Sequence, residues 1–461
     1  MTTEQRSNTA EMDFKISLYR NGERMENAEG KYELAEFVKG FEIIEAVESA
    51  TIEARIIVED NAGLMGALTG SEVFKLTIFH FTGDRTYWLR CAHIEDRVRV
   101  SQSADVFIVN CVSDEFIKNE IKNVFGHTEK IFNGSIEASQ IVRKLIRDKK
   151  FLGSKKRLFL EQTINKQRLV IPNWRPIDVI YWVAERSVRK SKKGGVLQNG
   201  FNFWETALGF HFKSIDKMID DVNEQSENFT DPIKGKPALY TYTYSPKNVN
   251  GSTGGEDQYK IDTVVFPEER SYLMGLRHGA WAGYSIGFDP VSINQSRIGV
   301  STDMKEKEYN YALKKVWKKM SHIGGTNYVN PINLMDKEIQ KVLDQPKRVR
   351  YTMIPNQLFD PKYKNNPQKN YEEVVELQAY EWLRRETLKN VKLMITIPGN
   401  LDLYAGHGIQ VKLPGTFRSG ITVQNDRKYS GRYVIMGVRH HTGDGLKMKT
   451  ELLLGRDSVL G

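Results

Sequence analysis

The chain has 461 residues, 40% of them hydrophobic and 27% charged, with a formal net charge of +9 at pH 7. That length leaves room for about three domains, the composition is that of a soluble globular protein, and the longest apolar runs, such as 391–397, are strand-length and too short to span a bilayer. Only two cysteines occur, Cys91 and Cys111, each inside an expected strand, which suits buried small hydrophobes in a reducing compartment better than a disulfide framework or a zinc site.

Residues 1–15 lack the apolar core of a secretory signal, so the protein is expected to stay where it is made. From Phe41 to Ser113 the chain reads as strands separated by turns such as 82–84, with one short helix at 62–68. This is the pattern of an antiparallel meander, and it sets a first β domain at 12–113. After Asp114 the period changes. A helix is expected over 135–148, capped by Ser135, with Ile141, Val142 and Leu145 on one side. A second helix, over 171–189, starts its first turn at Pro176 and repeats apolar residues at Ile177, Ile180, Tyr181, Ala184 and Val188. The stretch 200–216 alternates as two aromatic strands about a tight turn at 207–209. His211 lies on the second strand between Phe210 and Phe212 and reads as structural.

Residues 221–260 read as loop, and the glycine-rich 245–258 lacks the lysine-serine ending and the preceding apolar strand of a phosphate loop. These elements make an insertion domain at 114–256. Residues 272–290 read as two strands, 301–370 as an inserted polar segment, and 371–390 as a helix with Val375, Ala379, Trp382 and Leu383 on one face. A closing meander follows, so a second β domain is expected from 257–300 together with 371–457. Strands, a helix and more strands thus occur at both ends of the chain, in the order of an internal repeat.

Candidate chemistry is sparse. His440 and His441 are adjacent in an extended run, so they should face opposite sides, His440 with Val434, Met436 and Val438, and His441 with Tyr433, Ile435 and Arg439. The nearest carboxylate, Asp444, belongs to the next turn, and no two-histidine metal site is expected. The basic clusters 187–195 and 313–320 read as a solvated helix end and a lysine-rich helix, outside any nucleic-acid module. Glu372, Glu373, Glu376 and Glu381 would be the wet face of their helix. No GxGxxG, HExxH or CxxC motif occurs. The expectation is a protein with no catalytic, metal or cofactor residues; the competing reading is a cell-wall hydrolase, which needs paired carboxylates in a cleft.

Four stretches, 175–187, 201–216, 391–415 and 430–459, resemble in that order the central baseplate hub protein of contractile-tailed bacteriophages, and the corresponding half of the fused spike proteins of type VI secretion. Residues 100–461 carry the resemblance, most specifically "SGRYVI" (430–435) and "TELLLGRDS" (450–458). It implies an α+β chain with two tail-tube-like antiparallel β domains and inserted α/β segments, three copies forming a ring of pseudo-sixfold symmetry. It implies a structural role without catalysis, joining a sixfold tail tube to a threefold central spike around a channel for DNA and tape-measure protein, with no sequence-specific DNA binding. The implied partners are a homotrimer, the spike, tube or tube-initiator proteins and baseplate wedge proteins, in a virion tail assembled in the bacterial host cytoplasm. The chain carries no OB-like segment before Gly461, so the resemblance implies a spike on a separate polypeptide.

Overall fold

The computed structural model describes residues 12–27, 30–31, 34–80, 82–125, 132–191, 194–225, 238–245, 256–267, 272–288, 310–324, 328–343, 345, 348–353, 361–415, 424–442 and 447–460. The glycine-rich 246–255, the turn with Asp444 and the stretches 301–309 and 354–360 of the inserted segment lie outside them. The fold is mixed, mostly antiparallel β with helices, and no helix among the described residues is long and apolar enough to cross a membrane.

Among the described residues six longer strands make the first β unit, β1 (Asp13–Arg20), β2 (Val38–Ala46), β3 (Glu53–Asp60), β4 (Val73–Phe79), β5 (Arg85–Arg99) and β6 (Asp105–Ser113), and the two-residue strand Glu23–Arg24 pairs with the outer edge of β1. They pair antiparallel in the order β1-β4-β5-β6-β3-β2. Burial alternates along β3 and β6, as a strand with one wet face requires. The inward residues, among them Ile16, Ile43, Ile56, Leu76, Leu89 and Val109, form one core. Cys91 and Cys111 sit opposite each other in this core as free thiols. Burial pushes the Cys91 thiol up to about 11.

Six further strands make the second unit: β7 (Thr241–Thr243), β8 (Thr263–Val265), β9 (Val391–Pro398), β10 (Gly408–Lys412), β11 (Gly431–Thr442) and β12 (Met448–Arg456). Their order is β7-β10-β11-β12-β9-β8, which is the order of the first unit with each number raised by six. The register repeats too. Ile56 faces Phe41 and Val109, and Ile395 faces Val264 and Leu452. All pairs are antiparallel except β7–β10. This unit closes on itself, because the Ile261 amide, just before β8, donates to the Thr243 carbonyl at 3.0 Å.

The two units form one continuous sheet. β2 pairs with the last part of β11, Glu42 to Ala46 against Gly437 to His441. The pairing is possible because β11 is bulged at Ile435/Gly437; β5 carries a corresponding bulge at Cys91/His93. A bulge bends its strand, so the first half of β11 pairs with β10 and the second half swings out to β2.

Against the two units packs an inserted layer. The helix Ala138–Arg147 packs with Pro176–Glu185 and the hairpin Phe201–Thr206/Gly209–Ser214 over a common apolar core. Pro176 opens its helix, as expected. Ser135 does not cap: it lies in the strand Asn133–Glu137, and Glu137 takes the N-cap position. The loop-like stretch holds the end of a helix, Ile215–Glu224, and β7, whose short "TYT" carries too little periodicity to be read alone. Residues 272–288 form one helix, Tyr272–His278, and one strand, Ala282–Phe288, rather than two strands. That strand pairs with Asn310–Ala312 and Arg348–Met353 in a separate sheet, which packs against the helix Pro367–Thr387.

Candidate functional site

Three buried polar joints hold the inserted layer against the two β units, and each includes residues of the stretches that carry the resemblance: Glu205 in the first, Asp216 and Asp457 in the second, His440 in the third. At the first, Glu205 lies buried at the end of the hairpin. Its Oε2 accepts the Ser113 hydroxyl at 2.6 Å and the Ile52 amide at 3.2 Å. Its Oε1 meets Lys156 Nζ at 2.5 Å, and the same ammonium reaches Glu115 at 2.6 Å. Burial opposes the charge on Lys156, but the two carboxylates hold its pKa above the ordinary value. Beside them the Trp204 indole donates to the Ala405 carbonyl at 3.0 Å. Gly406 is required there: its φ is +84°, and a Cβ would lie 2.4 Å from the Trp204 ring.

The second joint is centred on Arg384, which is fully buried in the helix Pro367–Thr387. Its Nε lies 3.2 Å from Asp216, its Nη1 donates to Asp457 at 3.0 Å, and its Nη2 donates to the Ser321 carbonyl at 2.5 Å. Tyr380 donates to Asp216 at 2.7 Å, and His322 Nδ1 lies 2.8 Å from Asp457. Burial opposes ionisation of Asp457, yet the His322 hydrogen bond and the Arg384 charge hold its pKa well below the carboxylate range. Four segments distant in sequence are thereby fastened at one guanidinium. Next to Asp457, Arg456 donates to the Ser430 carbonyl at 2.9 Å and lies over the Tyr433 ring at 4.6 Å.

The third joint is the seam itself. Glu45 is buried, and its Oε1 accepts the Ala207 amide at 2.7 Å from the hairpin turn. Burial pushes its pKa up to about 8, so it enters the seam protonated at neutral pH. His440 is buried opposite Ile43, with Nδ1 3.0 Å from the Thr450 hydroxyl, and burial pushes its pKa down to about 3. His440 and His441 do face opposite sides. The companions differ from the expectation, because the bulge at Met436 reverses the parity: His440 and Val438 share the inward face with Tyr433 and Ile435, while Val434 and Met436 face the inserted layer.

The other candidates fall at separate places. His211 is buried and stacked between Phe159 at 4.6 Å and Trp204 at 4.9 Å, its Nε2 2.9 Å from the Thr206 hydroxyl. Burial holds its pKa well below the ordinary value. Glu372 is exposed and Glu373 and Glu376 are half-buried, but Glu381 is buried against Arg385 at 3.0 Å. The wet-face reading fails there because the last turns of this helix are packed on every side. In cluster 187–195 Arg189 is likewise buried, 2.8 Å from Glu161 and 3.2 Å from Asp220, rather than solvated. In cluster 313–320 Lys314, Lys315 and Lys318 are exposed, while Lys319 pairs with Glu376. The residues that sequence reasoning passed over are Lys156, Asp216, Arg384 and Asp457. No local signal marks them, because each stands among other charged or polar residues, as Asp457 does in "GRDSV" (455–459).

The opposite face of the seam is exposed and carries a ladder of alternating charge across strands of both units. Glu451 on β12 meets Arg439 on β11 at 3.0 Å, and Arg439 meets Glu42 on β2 at 2.5 Å. Arg55 on β3 then lies 3.7 Å from both Glu42 and Glu95 of β5. A shallow hollow of about 450 Å³ opens on this face, lined by Lys39, Glu42, Arg55, Ile57, Arg439 and His441. Two more hollows, between Trp182 and Leu377 and between Tyr351 and Trp382, contain no carboxylate. Among the described residues no three His, Cys, Asp or Glu side chains are placed to hold a metal ion.

No family model matches the sequence, and no curated protein does. Solved structures do match. A tail protein from Neisseria meningitidis MC58 superposes over 96% of this chain and 97% of its own with a TM-score of 0.53 at 10% identity. The 43 kDa tail protein of prophage MuSo2 from Shewanella oneidensis covers 96% and 98% with a TM-score of 0.47, also at 10% identity. A chain of a Francisella PdpA–VgrG complex covers 97% of this chain and 58% of its own, at 0.43 and 10%. At such identity the first of these likenesses is one of fold, and over nearly its whole length this chain has the fold of the Neisseria tail protein.

Proposed function

We propose that this chain is the structural baseplate hub of a contractile phage tail, a symmetry adapter between a sixfold tube and a threefold spike. The observation that carries the reading is the repeated strand order inside one continuous sheet. A chain with two equivalent units presents six quasi-equivalent units when three copies close a ring, and a ring of that kind can match sixfold on one side and threefold on the other. The first unit falls within 12–113; the second is carried by β7, β8 and β9 to β12, while the strand Ala282–Phe288 of the expected 257–300 belongs to a separate sheet. The fold shared with a tail protein supports the same reading.

In such a ring the exposed face of the sheet lines the channel. Its charges are paired in the plane of the wall, as in Glu451–Arg439–Glu42, so the wall offers little net field to hold a passing polyanion. DNA and tape-measure protein would pass without sequence-specific contact. The spike, the tube or tube-initiator proteins and the wedge proteins are the proposed partners, and the virion tail is the proposed location. The chain is read as non-catalytic: its buried carboxylates Glu205, Asp216 and Asp457 serve as braces.

Electron microscopy of the purified chain, with light scattering before and after adding a candidate spike protein, tests the reading. The expected result is a ring of three copies with a central hole. A chain that is monomeric in both conditions, or a stable dimer, overturns it.

A further inference from the structure

Outside both β units, three strands make the separate sheet, in the order Asn310–Ala312, Ala282–Phe288, Arg348–Met353. The side that faces the helix Pro367–Thr387 is uneven. Its middle strand carries only Gly283, Ser285 and Gly287 there: a Cβ on Gly287 would lie 2.2 Å from a Val375 methyl, and the Ser285 hydroxyl donates to the Val375 carbonyl at 3.4 Å. The parallel register sets Arg348, Arg350 and Thr352 beside these three, so they face the same way. Arg350 lies over the Trp382 ring at 5.0 Å. The helix thus seats on the small residues, and a hollow of about 340 Å³ opens beside the arginines, walled by Tyr284, Tyr311, Ala379 and Trp382.

Among the described residues no strand pairs with the outer edge of Arg348–Met353. Nor is its polar face satisfied. Arg350 Nη1 and Thr352 Oγ1 are buried without a hydrogen-bond partner among the described residues, and a buried donor left unpaired is costly. Glu381 lies within electrostatic reach of Arg350 but is bonded to Arg385 at 3.0 Å, and no carboxylate lines the hollow. Arg348, at the start of the row, is exposed. On the other face of the same strand Tyr351 is 71% exposed.

We propose that this edge is a docking site for an extended segment of another protein in which acidic and apolar residues alternate. Such a segment adds as a fourth strand, its main chain pairing with Arg348–Met353. Alternate side chains of a strand stand about 6.6 Å apart on one face, so two successive carboxylates meet Arg348 and Arg350 while the apolar residues between them cover Tyr351. Charge complementarity selects the occupant: the row is cationic, and the chain's net charge of +9 attracts an acidic protein and repels a second copy. The site lies outside both β units and is independent of the ring reading.

Fluorescence anisotropy with the full chain tests it. The probe is a labelled heptapeptide of alternating glutamate and valine, and the control has the same composition with its glutamates in one block. The alternating peptide should bind one per chain, and the block peptide at least tenfold more weakly, because only the first presents its carboxylates on one face of a strand. Arg348→Glu alters an exposed side chain, so the chain should fold as before while the probe binds at least tenfold more weakly and a lysine–valine peptide binds better than to the unaltered chain. Arg350→Met, which keeps an apolar contact with Trp382, should also weaken the probe. The proposal is overturned if the alternating peptide does not bind, or if Arg348→Glu leaves its binding unchanged. It is equally overturned if the block peptide or a dT oligonucleotide of equal charge binds as tightly, since the arginines would then be a general polyanion patch and not a strand-docking edge.

Discussion

In the first unit β2 ends at Ala46 and its neighbour β3 begins at Glu53; in the second, β8 ends at Val265 and its neighbour β9 begins only at Val391. Two units with one strand order are thus closed in different ways, the first by a short turn and the second around a long insertion. The entropic cost of closing a loop grows only logarithmically with its length, so the sheet itself tolerates the insertion. What the insertion needs is a fixed exit. The helix Pro367–Thr387 provides it, because Arg384 is tied to Asp216 and Asp457 immediately before the chain enters β9.

The sharpest way to break this comparison is Arg384→Met. It leaves Asp216 and Asp457 buried without their guanidinium, and losing one member of a buried ionic set costs about 3–5 kcal/mol. Urea denaturation should show that loss, or the variant should fail to accumulate as soluble protein. A cost below about 1 kcal/mol would mean that the exit is held by something else.

Equivalence of the units can be tested in their cores. Ile56 and Ile395 are fully buried and occupy corresponding positions. Replacing either with alanine should cost about 2–5 kcal/mol, with the two losses similar when measured by the same denaturation. A large loss at one and a negligible loss at the other would show that matching strand order does not carry matching packing.

The seam joining the units should respond to pH in two opposed ways. His440 is held near 3 from an ordinary 6.5 by burial, so between those values the unfolded chain binds the extra proton and stability falls as pH drops below about 6.5. Glu45 is raised from 4.5 to about 8, so the folded chain holds the extra proton between those values and stability falls as pH rises through them. His440→Gln should flatten the acid limb of a stability–pH curve and Glu45→Gln the alkaline limb. Either substitution without effect on its own limb would show that the group is solvated rather than buried in the seam.

The exposed face of the same seam should matter least. Arg439 joins Glu42 and Glu451 but remains 44% exposed, so Arg439→Ala should change stability by less than about 1 kcal/mol. A larger loss in a denaturation curve would mean that the surface ladder, and not the buried joint, holds the two units together.

Local order was legible in the sequence. Pro176 and its apolar stripe gave the helix Pro176–Glu185, and alternation about 207–209 gave the aromatic hairpin, because both depend on neighbours within one or two turns of chain. The resemblance in "SGRYVI" and "GRDS" pointed to a fold that the structure shares with a tail protein. Tertiary structure alone decided the rest. Strand parity said that His440 and His441 part, but only the bulge at Met436 determined which core receives His440, and a bulge is set by the partner strands. Helical periodicity put Glu381 on a wet face; packing of the inserted layer buried it, and a helix carries no local record of what will cover its polar side. Above all, the pairing of β2 with β11 joins residues nearly four hundred positions apart, and β strands find such partners through edges and register that neither segment specifies by itself.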